Sequence, residues 1–383
     1  MLLLCCKVIM WPQKRRDSKR RMKKKMVLLP QELIIQILLR LPVKSLVRFK
    51  CVSKSWLSLI SDPHFAKSHF ELAATPTHRL LLLGQSLYEA RSIDLNASLH
   101  DDSASAALNL NFSISQYDKI IGSCRGFLLI ACNPNLYVWN PSTGAHKRIP
   151  SSPVESNLEA MIFTFIYGFG YDPSTDDYLV VQAYYEPNAD LATHVELFSF
   201  KANTWTEMEG THLSHMNASD DLRLGSLLNG AIHWLAYRYD ASENVILAFD
   251  LMERRFSDIS LPVDFEYDLN FCDLWVLDGF LSLWVMEEDA TVIWVMEEYK
   301  VQSSWTRTIV VSINAIPTQY FSPICYSKSG DIIGIDGSTG LVKCNDRGQL
   351  LEHCTFGDNV HGRDVAMYTE SLLPLPGESE HQD

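Results

Sequence analysis

Gly122-Ser123-Cys124-Arg125-Gly126 is the segment whose residue types most invite a chemical reading. A cysteine framed as G-x-C-x-G imitates the sharp strand-to-helix turn that presents a nucleophile. A thiolate there would attack a carbonyl carbon once a neighbouring base had accepted its proton. That chemistry needs a helix after the turn, yet Phe127-Leu128-Leu129-Ile130-Ala131 reads as a strand, and no histidine and acid can be assigned to Cys124. A tight turn whose glycines supply positive φ accounts for the same residues. A cysteine hydrolase using Cys124 is the minor alternative, and no catalytic residue is assigned. The twelve histidines form no H-x-x-x-H or H-E-x-x-H pattern and the nine cysteines no C-x-x-C pair, so neither a metal nor any other cofactor is expected. Gly337-Ser338-Thr339-Gly340-Leu341-Val342-Lys343 lacks phosphate-loop spacing and reads as a hairpin turn.

What remains is the chemistry of association. Leu33, Ile34, Ile37, Leu38 and Leu41 recur at helical spacing behind Pro30, which suits a helix's first turn, and Pro42 ends the run. Ser45 to Lys50 reads as a second short turn with Leu46 and Phe49 inward. Ser53 caps a third helix carrying Trp56, Leu57 and Ile60, and Asp62-Pro63 opens a last one with Phe65 and Phe70. A helical segment of about 45 residues cannot bury Leu33, Ile34, Ile37, Leu38, Leu41, Leu46, Val52 and Trp56 all internally. Burying five such side chains against a partner would contribute roughly 7–15 kcal/mol gross, less the large costs of association. Lys44, Arg48, Lys50 and Lys54 make the segment basic, which suits an acidic partner.

The elements that must carry this surface follow from composition. The chain has 383 residues, 47% of them hydrophobic and 11% aromatic, enough for one small and one large domain. Residues 1–26 hold ten Lys/Arg against one Asp, net +9; with −13 overall, the rest carries −22. So acidic a body repels phosphate backbones and argues against nucleic acid as a partner. Lys14 to Lys25 could serve as a nuclear-import signal or a membrane-surface patch, but a solvated, disordered tail is the plainer reading. Met1 to Trp11 is apolar yet too short to span a bilayer, so stable membrane insertion is not expected. Cysteine usage suggests reduced thiols, hence cytoplasm and/or nucleus.

Beyond Ala73–His78 the pattern changes to short runs rich in Val, Ile, Leu, Tyr and Trp, separated by Gly, Asn, Asp and Pro. The runs recur with unit starts near 79, 126, 177, 230, 279 and 330, a period of about 50 residues expected of a β-propeller. Six blades are inferred, with seven as the variant, and Asp364 to Leu373 should complete the first, partial unit. A β-sandwich or irregular barrel is the competing architecture. Trp139, Trp205, Trp234, Trp284, Trp294 and Trp305 fall on or beside the repeat strands and suit packing between blades better than a ligand cage.

Leu29-Pro30-x-Glu32-Leu33-x-x-x-Ile37-Leu38-x-x-Leu41-Pro42-x-x-Ser45-Leu46, continuing to Val52, Lys54, Trp56 and Ile60-Ser61-Asp62-Pro63-x-Phe65, strongly resembles the F-box. Val138-Trp139-Asn140-Pro141-Ser142-Thr143-Gly144, Tyr167-Gly168-Phe169-Gly170-Tyr171-Asp172, Asn229-Gly230-Ala231-Ile232-His233-Trp234 and Ala248-Phe249-Asp250-Leu251 are similar to phrases of the plant F-box-associated (F-box/kelch-repeat) domain. The resemblance implies a non-catalytic substrate-recognition subunit of an SCF ubiquitin ligase. It implies a Skp-type adaptor and through it a cullin scaffold as partners, and a protein substrate of unknown identity. The adaptor contacts would be Leu29, Pro30, Leu33, Ile34, Ile37, Leu38, Leu41, Pro42, Leu46, Val52 and Trp56. The expected architecture is α+β and multidomain: a basic tail (1–26), a small all-α F-box (27–72), a linker (73–78), an all-β domain (79–375) and a disordered C-terminus (376–383). Substrate-contact candidates are the polar loops Tyr185–Ala192, Met208–Asp221 and Glu266–Asn270. An F-box scaffold acting outside ubiquitination is the other alternative.

Overall fold

Proline and short polar caps define the helices. In the computed structural model, α1 spans Gln31–Leu38 and α2 Val43–Phe49. The carbonyls of Pro30 and Pro42 accept the first free amides of these two helices. Pro30 therefore sits at the cap, just outside the first turn. α3 (Lys54–Ile60) starts where Ser53 Oγ accepts from Trp56 N at 3.2 Å, and α4 (Pro63–Leu72) where Asp62 Oδ1 accepts from Phe65 N at 2.9 Å. Each such side-chain cap is worth about 1 kcal/mol. The structure describes residues 29–72, 78–83, 89–95, 97–101, 105–110, 112, 118–132, 135–152, 163–186, 192–208, 213–217, 223–263, 265–337, 340–355 and 364–377. The expected basic tail and nearly all of the linker lie outside these. The chain divides into a unit ending at Leu38 and a larger one beginning at Leu39.

The larger unit contains a six-bladed β-propeller. Blade 1 consists of Val365–Thr369, His78–Leu83, Glu89–Asp94 and Ser105–Asn109, in that order from the axis. Blade 2 runs Lys119–Cys124, Phe127–Cys132, Asn135–Trp139, His146–Ile149, and blade 3 Phe163–Asp172, Asp177–Glu186, Ala192–Ser199, Thr204–Glu207. Blade 4 is built on Ser226–Leu228, Ala231–Arg238, Glu243–Asp250 and Arg255–Ser260, with His215–Asn217 also pairing to its second strand. Blade 5 runs Cys272–Leu277, Phe280–Met286, Ala290–Met296, Trp305–Ser312, and blade 6 Ser322–Tyr326, Ile332–Ile335, Gly340–Cys344, Leu350–Thr355. The first strands of successive blades meet around the axis. The sequence repeats near 79, 126, 177, 230, 279 and 330 coincide with the second strand of each blade, because each first strand lies at the end of the preceding repeat.

The ring closes as expected: Val365–Thr369 pairs antiparallel with His78–Leu83, with Leu80 opposite Met367. A buried polar chain crosses this seam. Arg79 Nε donates to Ser92 Oγ at 2.5 Å, Ser92 Oγ meets Tyr368 OH at 2.8 Å, and Arg79 lies 3.8 Å from both Asp94 and Glu370. Past the strand, Leu373 and Leu375 enter the core shared by blades 2 and 3. Ordered packing reaches Gly377, two residues beyond the expected end of the domain. Asn140, fully buried, ties this tail down by donating from Nδ2 to the carbonyls of Ser371 and Leu373, both at 3.2 Å.

Tryptophans fasten neighbouring blades. Trp205 Nε1 donates to Pro150 O at 2.7 Å and Trp305 Nε1 to Ser260 O at 3.1 Å, each reaching the end of the preceding blade's outer strand. Trp234 Nε1 donates to Tyr167 O at 2.7 Å, joining blade 4 to the innermost strand of blade 3. Trp139, Trp284 and Trp294 are packed within the hydrophobic clusters.

His233 performs the same task between blades 4 and 5. Its Nδ1 faces Ser226 O at 3.0 Å and its Nε2 faces Tyr299 OH at 2.8 Å. A carbonyl can only accept, so Nδ1 carries the proton and Nε2 accepts from the phenol. Burial lowers the imidazole pKa to about 4, so folding selects the neutral ring. The unfolded chain binds the extra proton between pH 6.5 and 4, and stability falls as pH drops through that window, by about 3 kcal/mol for this group. His233→Gln is expected to lower Tm at pH 7.5 yet flatten the loss between pH 6.5 and 4, measured by thermal unfolding across pH.

Candidate functional site

Several large apolar side chains of the helical segment are left at the surface. On α1 and the residues before it, Leu29 is 50% exposed, Leu33 49% and Ile37 47%. Pro30 is also exposed and Ile34 half-buried. In the larger unit, Val52 is 44% exposed, Pro42 is exposed, and Leu41 and Trp56 are half-buried. Leu38 and Leu46, by contrast, are 1% and 0% exposed. They belong to the interior, so the expected contact set divides into nine residues with reachable surface and two without. Leu57, 48% exposed and absent from that set, adds to the surface on α3. The sequence named it only as one of the apolar residues carried by the third helix. With roughly half of each side chain already covered, five of them can contribute about 4–7 kcal/mol gross rather than the larger figure. Lys44, Arg48 and Lys54 project into solvent nearby in sequence, and partial burial lowers the Lys50 pKa.

The remaining helices are joined to the propeller at one face. Phe49 and Trp56 pack edge to face at 5.4 Å, linking α2 to α3. His69 Nε2 donates to Leu41 O at 2.8 Å, linking α4 to the start of α2. α4 then rests on the turns that connect first and second strands in blades 2 and 3. The Arg125 guanidinium lies over the Phe70 ring, 4.9 Å from its centroid, and over the Tyr171 ring at 4.2 Å. Such cation–π contacts are worth about 0.5–2 kcal/mol each, most when desolvated. Lys67 Nζ reaches Asp176 at 3.4 Å, and Asp176 also accepts from Tyr171 OH at 2.5 Å. Burial and the bond to Asp176 push the Tyr171 phenol up to about 12, against the pull of Arg125.

This arrangement explains the G-x-C-x-G segment. Cys124 ends one strand, Arg125 and Gly126 form the turn, and Phe127 begins the next strand. Arg125 and Gly126 both have positive φ, 49° and 87°. A Cβ on Gly126 would stand 2.3 Å from Ser371 Cβ, so only glycine fits beneath the closing tail. Cys124 is buried, and desolvation pushes its thiol up to about 12, only partly opposed by Arg125. No histidine hydrogen-bonds it among the described residues. A hairpin turn and a protonated thiol supply neither the elbow nor the thiolate that a cysteine hydrolase requires. Gly337 and Gly340 likewise flank a hairpin connection in blade 6. Among the described residues no His/Cys/Asp/Glu group could hold a metal, and no helix is long and apolar enough to cross a membrane.

A short helical motif with apolar side chains at its surface, joined to a closed six-bladed propeller, defines a class of proteins that bridge two partners. Family models agree with both parts. The F-box domain matches residues 26–68 and the F-box associated beta propeller domain residues 73–370, so the chain belongs to the F-box associated beta propeller family. F-box/kelch-repeat protein At3g23880 of Arabidopsis thaliana is 30% identical over 358 residues, covering 90% of this chain and 95% of that protein. F-box protein CPR1 of the same plant is 29% identical over 343 residues, covering 79% and 78%. Proteins of this family are typically adaptors, and an F-box implies binding of a Skp-type adaptor protein, which supports an SCF substrate-receptor role in general.

For Cys124 the expected outcome is inertness. Iodoacetamide at pH 7.5 should label the exposed Cys51 in the folded chain and leave Cys124 unmodified, as read by peptide mass spectrometry. Unfolding in guanidinium should make both react equally.

Proposed function

We propose that this chain docks on a Skp-type adaptor through Leu29, Pro30, Leu33, Ile34, Ile37, Leu41, Pro42, Val52 and Trp56, and so joins a cullin scaffold. The propeller then holds a protein substrate for a scaffold-bound ubiquitin-conjugating enzyme. The chain contributes no reacting group. Acceleration comes from tethering, which converts the encounter of substrate lysine and enzyme into an intramolecular event. The observation that carries this reading is the exposure of Leu33 and Ile37 on a helix whose Leu38 is buried. Monomeric proteins rarely leave such side chains clustered in sequence and uncovered without a partner. The basic side chains Lys44, Arg48 and Lys54 favour encounter with an acidic partner. Cytoplasm or nucleus is the proposed location, supported by the free thiols of the seven described cysteines.

Substrate capture is assigned to the propeller face away from α4. The strand alternation fixes two faces: turns between first and second strands open on the side where Arg125 and Asp176 meet α4. Connections between second and third strands, and between blades, open on the other. All three expected substrate loops belong to that second set. Most of 185–192 and 208–221 falls outside the described residues, while Glu266–Asn270 is described there, beside the exposed Val263 and Phe271.

Two outcomes test the reading. Leu33→Asp with Ile37→Asp should weaken binding to a Skp-type adaptor at least a hundredfold by calorimetry, while the propeller's unfolding transition stays within 2 °C (about 3 kcal/mol of lost apolar contact corresponds to the former). Val263→Ser with Phe271→Ser should leave adaptor binding intact and reduce the set of proteins whose turnover follows this chain in proximity labelling with the proteasome blocked. If no partner's turnover follows the chain at all, a scaffold role outside ubiquitination replaces the receptor role.

A further inference from the structure

Arg125 is placed in an unusual way for a turn residue. Its backbone is in the left-handed region, where long side chains are uncommon, and its turn lies close under the closing tail, where a Cβ on Gly126 would stand 2.3 Å from Ser371 Cβ. The guanidinium makes no ion pair among the described residues, and its Nε is buried without a hydrogen-bond partner. Besides a side-chain hydrogen bond with Tyr178 of blade 3, it meets two aromatic faces from different parts of the chain, Phe70 of α4 at 4.9 Å and Tyr171 of blade 3 at 4.2 Å. Tyr171 is itself held by Asp176, which also takes Lys67 of α4. The Lys67–Asp176 pair is exposed on both sides and contributes little alone.

We propose that Arg125 is a positioning residue. It seats α4 on blades 2 and 3 and so sets the orientation in which α2–α4 present the propeller, and with it the lysines that a scaffold-bound conjugating enzyme can reach. This rests on the receptor reading above and adds a named determinant of its geometry. A rigid joint makes tethering productive, because effective concentration at a given lysine depends on how narrowly the tether distributes it. Without Arg125, α4 keeps an exposed ion pair and the flank of Phe70.

The test uses the full chain in two settings. In the first, hydrogen exchange of the α4 amides is followed in the chain alone. In the second, the chain is assembled with a Skp-type adaptor, a cullin scaffold and a conjugating enzyme, and its own ubiquitinated lysines are mapped. Arg125→Ala should speed α4 exchange at least tenfold while Phe127–Cys132 stays protected. It should leave adaptor affinity within twofold and spread modification over lysines little used by the wild type. Arg125→Lys, which keeps a cation over the rings, should restore the narrow pattern; Arg125→Gln should not, although all three share the strained turn. Unchanged α4 exchange and an unchanged lysine pattern in Arg125→Ala would overturn the proposal. Should Arg125→Ala expose blade 2 as well, Phe70→Ser removes the same contact from the helix side, and an unchanged pattern there overturns it equally. If the wild-type chain neither binds the adaptor nor becomes modified, the receptor reading fails, while the exchange measurement still decides whether Arg125 seats the helix.

Discussion

The pairing of Val365–Thr369 with His78–Leu83 is the constraint on which the rest of the structure depends. Each blade has two faces to cover and finds that cover only in its neighbours, so an open ring would leave two blades with bare apolar faces and an unpaired edge. The closing strand adds Tyr368 and Ala366 to the cluster that holds Leu81 and Leu83 on one side of blade 1, and Val365 and Met367 to the cluster that holds Leu80 and Leu82 on the other. It also delivers Ser371, Leu373 and Leu375 to the ground beneath blades 2 and 3, where Asn140 and Gly126 receive them. The site where α4 is seated is therefore assembled from the beginning, the middle and the end of the chain.

Two charged groups at the seams draw several partners from neighbouring strands and blades. Arg79 is shared by Ser92, Asp94 and Glu370 across the closure. Asp172, fully buried, accepts from Ser174 and Thr175 in its own turn and from Arg254 of blade 4 at 2.7 Å. Burial raises the charged-state cost of Asp172, and these donors more than offset it, so its pKa falls. Such contacts make each blade specific for its neighbour in a repeat whose apolar strands are otherwise interchangeable.

Much of this was legible in the sequence, and the reasons for the exceptions are physical. Strand runs at a period near 50 residues sufficed for six blades and for a C-terminal partner to the first, because alternation and turn residues are local signals. Helix starts at Ser53 and Asp62 were equally local. Leu38 could not be separated from Leu33 and Ile37, since one apolar stripe on a short helix does not say which of its edges is covered, whereas Leu46 read as inward on the next helical turn and is buried there. The role of Asn140 was hidden because its acceptors lie more than two hundred residues later. The contacts of Arg125 were hidden for the same reason: in sequence it stands in a tight turn beside Cys124, and only the fold brings Phe70 and Tyr171 to its side chain. The loops expected to contact substrate carry a polar signature that marks them as connections without saying what they bind.

Placing the ring's last seam at residues 365–369 has a consequence for how the molecule is made. On the ribosome the apolar helices emerge before the sealing strand, so for much of synthesis they stand exposed ahead of an unfinished ring. A chain ending between the helices and residue 365 would lack the sealing strand and hold its blades unsealed and prone to aggregation.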